Sequence, residues 1–483
     1  MKLVFPAEPM RRAILSSIPE NTSQFEERPP EIRFLYFPAA HSRALSFDTM
    51  LVQGIRGAGK SLWWAALQSA PHREMIAQVM GSRVVDPTTE VVSGFGASSK
   101  PDAYPSRGLT QLVADHDPSN LWRAILLHHA LSGPARESLG RPWLIDGLWV
   151  ERLAWVASHP EQFERALYQC DEALGQAGHR KLVVFDALDR TSSDWGERRR
   201  LLRGLLLVLL EVRSYKHIRA KAFVRPDMLD SAEVVNFPDA SKVVTNDVRL
   251  SWSRADLFGL FWQHLANADE GGDVFRDVCS RQLGVVFERV GDTWRVPERL
   301  KIDTELQQQV FHAITGPYMG RDARRGFPYK WLPGHLADTL AQVSPRSFLA
   351  ALRRAANDAT GHVGTALSYD GIKAGVQAAS KIRVEEVAED FPWVREAMKC
   401  LEDMVLPCKF SEVKQRWKGQ GLLEALQQSK SRPQHLDQGE EGVRRDLEEL
   451  GFFERMSDGR VNMPDVYRVA FGLRRKGGVR PVR

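Results

Sequence analysis

Cysteine is scarce: the chain of 483 residues holds four, Cys170, Cys279, Cys400 and Cys408, and no two of them form a C-x-x-C pair. That scarcity excludes a disulfide-stapled fold and a thiolate cage for zinc, and the four read as buried thiols in a reducing compartment. Long apolar runs are missing as well. The longest, Leu205–Leu210 inside Leu201–Val212, reaches about a third of the length a bilayer crossing requires. Polar and charged residues interrupt Met1 to Glu27 throughout, which excludes a signal peptide there. A soluble, cytoplasmic protein without membrane contact is the expectation. Nor is one sign of charge in large excess. The 66 basic and 61 acidic residues leave a formal charge of +5, which permits a nucleic-acid partner without arguing for one.

What is present is a globular, multidomain chain: it is too long for one core, and its hydrophobic content is far from the disordered range. Residues 1–45 are rich in proline and charge and read as a lead-in, with an extended segment at Ile32–Phe37. Strands are expected at Met50–Gln53, Lys181–Asp186 and Ala220–Arg225, and helices at Leu62–Gln68, Asn120–Leu131, Trp143–Ala173 and Leu201–Val212. Arg83 to Pro118 reads as loop. After about residue 230 helices dominate. Near the C-terminus a helix precedes Phe452–Met456, the turn Ser457-Asp458-Gly459 and Arg460–Met463, the pattern of a winged helix.

The chemistry concentrates in Gly54-Ile55-Arg56-Gly57-Ala58-Gly59-Lys60-Ser61, set between a strand and a helix. Glycines at 54, 57 and 59 let the backbone turn tightly and aim successive N–H groups inward, a nest for phosphate oxygens at a helix N-terminus. Gly54, Arg56, Gly57, Ala58, Gly59, Lys60, Ser61 and Leu62 are therefore candidate ATP-binding residues. Within that set Lys60 reaches the β- and γ-phosphates and the Ser61 hydroxyl ligates Mg²⁺.

Asp186 ends the apolar run Leu182–Phe185 and is the candidate acidic partner of that Mg²⁺. Its neighbour is Ala187 rather than a glutamate, which leaves Asp189 as the nearest carboxylate able to activate water; the competing reading has Asp189 pair with Arg190 or cap the turn to Asp194. A poorly placed base implies slow turnover. Arg225, at the end of the third strand, is a candidate γ-phosphate sensor, against a reading in which it is solvated at the strand end or packs on Pro226. Arg346, at the start of a helix, is a candidate contact from a lid. No N-K-x-D stands ready to read guanine, which argues against a small GTPase.

The combination of G-x-x-x-x-G-K-S, D-A-L-D-R at 186–190 and a strand ending Phe223-Val224-Arg225 resembles the STAND and KAP branches of P-loop NTPases, relatives of AAA+ ATPases. The second aspartate, Asp189, is part of that resemblance, which spans roughly residues 45–230. It implies an α/β P-loop NTPase core, a parallel sheet with helices on both faces. To that core are added a helical insertion, a helical lid and a C-terminal winged-helix-like domain. The implied order is a lead-in at 1–45, the core at 46–230 with its insertion at about 85–170, the lid at 231–400 and the winged-helix-like part at 401–483. The implied activity is that of a switch ATPase of bacterial anti-phage defence or mobile-element biology, acting through a protein partner or self-assembly. Two departures stand out. KAP proteins often carry membrane helices in the insertion, and here it has none; STAND proteins usually have an acidic residue where Arg190 stands.

Two basic segments keep nucleic acid open as a partner. Arg321, Arg324, Arg325 and Lys330 lie among Phe327, Tyr329 and Trp331, either a strand-binding surface or a loop whose aromatics plug the lid core. The tail at 474–483 carries Arg474, Arg475, Lys476, Arg480 and Arg483. Against DNA, the candidate recognition helix Glu440–Leu450 bears Asp446, Glu448 and Glu449. The alternative to the switch is thus a DNA-binding AAA+-like loader or transposition or partition regulator, and a P-loop phosphotransferase is the remote third.

Overall fold

The computed structural model describes residues 3–20, 29–131, 139, 143, 147–192, 194–244, 247–358, 364–476 and 479–481. Arg483 of the basic tail lies outside these, as do residues 144–146 of the helical stretch expected from Trp143.

Continuous apolar runs such as Leu182–Phe185 suit strands covered on both faces, and the chain builds a parallel sheet from them. Its strands are β1 Leu51–Gln53, β2 Glu90–Phe95, β3 Lys181–Phe185, β4 Ile218–Val224 and β5 Val248–Arg249, in the order β2-β3-β4-β1-β5. All pairings are parallel, with Val183 beside Ala220 and Val52 beside Phe223. Alternate side chains enter different cores. Leu51, Val183, Phe185, Ala220 and Ala222 pack with helices Pro118–Ala130 and Trp195–Val212; Val52, Leu182, Val184 and Phe223 pack with Trp63–Leu67 of helix Lys60–Gln68.

Four sequence expectations need correction. β2 lies inside the stretch read as loop, because Ser93 and Gly94 break its apolar run; a Cβ on Gly94 would come within 2.5 Å of the Phe185 ring, so the glycine lets that ring pass. β5 extends the sheet past the expected boundary at 230, and a two-residue strand leaves no periodicity to read. Ile32–Phe34 form a 3₁₀ turn rather than the start of an extended segment. The N-terminal 45 residues are more than a lead-in, since helix Ala7–Ser17 buries Met10, Ala13 and Ile14 in the core of the following helical region.

That second core unites helices Arg254–Ala266, Thr304–Thr315, Pro328–Leu336 and Pro345–Asn357. Phe258 sits among the rings of Trp262, Phe311, Tyr329 and Phe348. A short antiparallel hairpin, β6 Glu288–Val290 with β7 Thr293–Arg295, is attached to it. A third core gathers Val384 to Leu473, with helices Phe410–Gly419, Leu422–Gln428 and Glu440–Glu449 followed by the antiparallel pair β9 Glu454–Arg455 and β10 Val461–Asn462. One helix, Tyr369–Asp390, is shared: Ile372, Val376 and Ala379 belong to the second core, and Val384 and Val387 to the third. Its close packing on Pro345–Asn357 depends on Gly375, where a Cβ would stand 2.2 Å from the Ala351 carbonyl oxygen.

The two basic segments are divided by this packing. Arg321, Arg324, Arg325 and Lys330 are exposed, but Tyr329 is buried against Phe258, with its hydroxyl donating to Gln307. Arg474 and Arg475 form β11, paired with β8 Val405–Leu406, and make ion pairs with Asp403 and Asp465. On Glu440–Glu449, Arg444 pairs with Glu441 and Glu448, and Arg445 with Glu449. Among the described residues no helix is long and apolar enough to cross a membrane.

Candidate nucleotide site

At the carboxyl ends of β1, β3 and β4 the chain leaves the sheet in three tight turns, and these frame a cavity of about 500 Å³. The first is the glycine loop. Gly54 N–H donates to the Val224 carbonyl, which ties the loop to β4, and the loop re-enters helix at Lys60. Gly57 has φ +77°, and a Cβ there would meet the Ser344 hydroxyl at 2.2 Å, so both its conformation and its neighbour require glycine. Gly59, at φ +104°, also lies in the left-handed region.

Arg56, Gly57, Gly59, Lys60, Ser61 and Leu62 border the cavity. Gly54 lies behind the loop against Leu250, and buried Ala58 offers its carbonyl to the Trp252 indole N–H at 2.8 Å. Lys60 Nζ donates to the carbonyls of Gly54 (2.7 Å) and Ile55 (3.1 Å). Protein surrounds this ammonium on nearly all sides although its side chain still reaches the cavity. Burial lowers its pKa to about 8, against the opposing pull of Asp186.

The second turn follows β3. Asp186 is buried, accepts a hydrogen bond from the Ser61 hydroxyl, and has its pKa raised by burial despite Ser61 and Lys60. Two hard oxygen donors thus face each other, one a carboxylate whose charge burial disfavours, a pair that fits Mg²⁺ and would be relieved by it. Ala187 adopts φ 55°, an uncommon conformation for a residue with a Cβ, and the reversal it makes brings Asp189 and Arg190 to the cavity wall.

The third turn follows β4. Arg225 is buried at the cavity edge, with Nε and Nη2 donating to Asp227 and Nη1 to Asp390 at 2.5 Å. Burial opposes its charge, but Asp227 and Asp390 hold it firmly cationic. The same Arg225 holds the carboxyl of half-buried Asp227 below its ordinary pKa against the desolvation it meets there. Arg225 is therefore buried among carboxylates rather than solvated at the strand end. Asp390 also pairs with Arg56 at 3.0 Å, and Arg56 reaches Glu389 at 3.2 Å while its carbonyl accepts from Arg383. Arg346 borders the cavity from the start of Pro345–Asn357, its Nη1 held by Glu386 at 2.7 Å.

The sequence reading brought together Lys60, Ser61, Asp186, Asp189, Arg225 and Arg346, and all six border this one cavity. It missed Asp227, two residues beyond Arg225, and the acidic end of Tyr369–Asp390, which is remote in sequence and carries no motif. It also missed the apolar end of the cavity, where Tyr36, Trp252, Leu260, His264 and Leu349 converge from the N-terminal segment and the helical region.

No protein-family model and no curated protein matches this chain. Among solved structures it is similar to one described as the structure of the Aeropyrum pernix ORC2 protein in ADPNP-ADP complexes. That similarity is 12% identity and a TM-score of 0.31 over 90% of this chain and 93% of that one. At such values the fold rests on this chain's own features: a parallel sheet covered on both faces and a strand–glycine loop–helix at the end of β1.

Proposed function

We propose that the chain is an ATP-binding switch ATPase of STAND/KAP type among the AAA+-related ATPases, with slow turnover, acting through a partner protein or its own assembly. The setting we attach to it is bacterial anti-phage defence or mobile-element biology. The observation that carries the switch is Asp390, which bridges Arg56 on the glycine loop and Arg225 at the end of β4 from the tip of a helix rooted in two other cores. A γ-phosphate seeking those guanidiniums competes with that carboxylate, so binding has a consequence beyond the cavity.

In this reading Lys60 leaves the Gly54 and Ile55 carbonyls for the β- and γ-phosphates, and Ser61 and Asp186 would hold Mg²⁺, whose charge would offset that of the phosphates. Asp189 accepts the proton of the attacking water, and Arg225 and Arg346 meet the γ-phosphate once their carboxylate partners release them. Absence of a glutamate at 187 supports slow turnover. Residues 231–400 act as the lid and 401–483 as a winged-helix-like part that receives the motion.

The second reading, a DNA-binding loader or regulator, draws on the exposed cations Arg321, Arg324, Arg325 and Lys330. Weighing against it are the buried Tyr329 and the engagement of Arg444, Arg445, Arg474 and Arg475 with carboxylates. ATP hydrolysis and oligomeric mass measured together, for wild type, Lys60→Ala and Asp189→Ala, with and without duplex DNA, separate the two. Loss of turnover and of ATP-dependent assembly in Lys60→Ala, indifferent to DNA, supports the switch. Strong stimulation by DNA moves the assignment to the loader, and unchanged turnover in Lys60→Ala sinks the site.

A further inference from the structure

Among the described residues at the apolar end of the cavity, one side-chain group keeps hydrogen-bonding capacity to spare. The indole and phenol donors there are engaged within the protein: Trp252 Nε1 donates to the Ala58 carbonyl, Trp63 Nε1 to His41, and the Tyr36 hydroxyl to Asp256. His264 differs. It is 5% exposed, borders the cavity, and lies flat against Phe34 with ring centroids 5.0 Å apart. Its Nδ1 stands 2.8 Å from the carbonyl oxygen of Ser17. A carbonyl can only accept, so Nδ1 carries the ring proton. Nε2 is then a lone-pair acceptor, and no donor among the described residues is bonded to it. Burial lowers the pKa of His264 to about 4, against the bond to Ser17, so this tautomer persists at neutral pH.

Position agrees with a role at the far end of a nucleotide. Trp252 touches the glycine loop just before helix Arg254–Ala266, and Leu260 and His264 follow one turn apart within that helix, His264 lying about 15 Å along the axis from Arg254. That is the length scale of a nucleotide laid from triphosphate to base. We propose that His264 Nε2 reads the exocyclic amine of adenine and so sets the site's preference for ATP over GTP. The inference rests on the nucleotide reading above and adds the identity of the base. Adenine presents an N–H donor where guanine presents a carbonyl oxygen, so guanine would leave two acceptors facing each other in a dry slot, and purine would leave Nε2 with no donor.

The test measures dissociation constants of ATP, GTP and the triphosphate of unsubstituted purine riboside, for wild type, His264→Gln and Lys60→Ala, with folding checked by melting temperature. Wild type is expected to favour ATP over both others by about 10- to 100-fold. In His264→Gln, whose amide can turn to accept from adenine or donate to guanine, the ATP-to-GTP ratio collapses toward one while the unsubstituted purine binds as before. A wild type that binds ATP and unsubstituted purine alike overturns the proposal without any variant, as does an unchanged ATP-to-GTP ratio in folded His264→Gln. Either result, with Lys60→Ala still weakening every triphosphate, leaves the nucleotide site standing. If no triphosphate binds wild type, site and base assignment fall together.

Discussion

Replacing Asp390 by asparagine removes a charge while keeping the side chain's shape, and the geometry assigns it a sign and a size. Its carboxylate lies between Arg56 and Arg225, and its side chain is only 11% exposed, so solvent screens it poorly. A phosphate that comes to the same guanidiniums would lie within roughly 6 Å of it. At an effective dielectric of about 20 each unit of like charge at that distance costs about 3 kcal/mol. Part of that is recovered when Asp390 swings away, so the neutral variant should bind ATP about 10- to 100-fold more tightly. ADP, which lacks the γ-phosphate, should gain much less. Titration calorimetry with both nucleotides at constant Mg²⁺ reads the two constants. The reasoning fails if Asp390→Asn leaves ATP affinity unchanged or weakens it, which would make Asp390 a holder of the arginines rather than a competitor. An equal gain for ADP would place the repulsion at the β-phosphate and break the link to Arg225.

Lys60 supplies a pH signature. Its pKa near 8 in the free protein lies below the ordinary lysine value, and phosphate oxygens push it back up, so ATP binding at pH 8 should take up about half a proton. Calorimetry in buffers of different ionisation enthalpy measures that uptake; affinity should be flat below about pH 7 and fall as pH rises through 8, and uptake that persists in Lys60→Ala would assign the proton elsewhere. Gly375→Ala should separate helices Pro345–Asn357 and Tyr369–Asp390, since its Cβ meets backbone that cannot turn aside. A loss of about 2–4 kcal/mol in stability, read from urea unfolding followed by far-UV circular dichroism, is the expected cost.

The glycine loop, Asp186 and the strands that carry them were legible because each is a local pattern: an apolar run, a fixed spacing, a helix beginning at Lys60. β5 was invisible because two residues have no period, and β2 because a serine and a glycine interrupt it where the sheet needs room for Phe185. Arg225 was found by its place at a strand end, yet its partner Asp390 lies 165 residues away on a helix whose first half reads as ordinary lid. The apolar end of the cavity was unreadable for the same reason. Tyr36, His264 and Leu349 border one cavity although they come from segments separated by tens to hundreds of positions, with no shared motif. In the aromatic loop at 321–330 Tyr329 completes the cluster around Phe258 whereas Phe327 stays exposed, a division that spacing alone does not show.

Helix Tyr369–Asp390 runs 22 residues, about 33 Å, and its midpoint is pinned where the Ser380 hydroxyl donates to the Val466 carbonyl and accepts from the Ala470 N–H. A rod held in this way is a lever with its fulcrum on the C-terminal region. A tilt of about 10° about that point carries Asp390 through roughly 3 Å, enough to free both arginines. Leverage has no preferred direction. A molecule that grips the region around Val466 and Ala470 and alters ATP affinity by some factor must itself be bound more or less tightly, by that same factor, when ATP arrives.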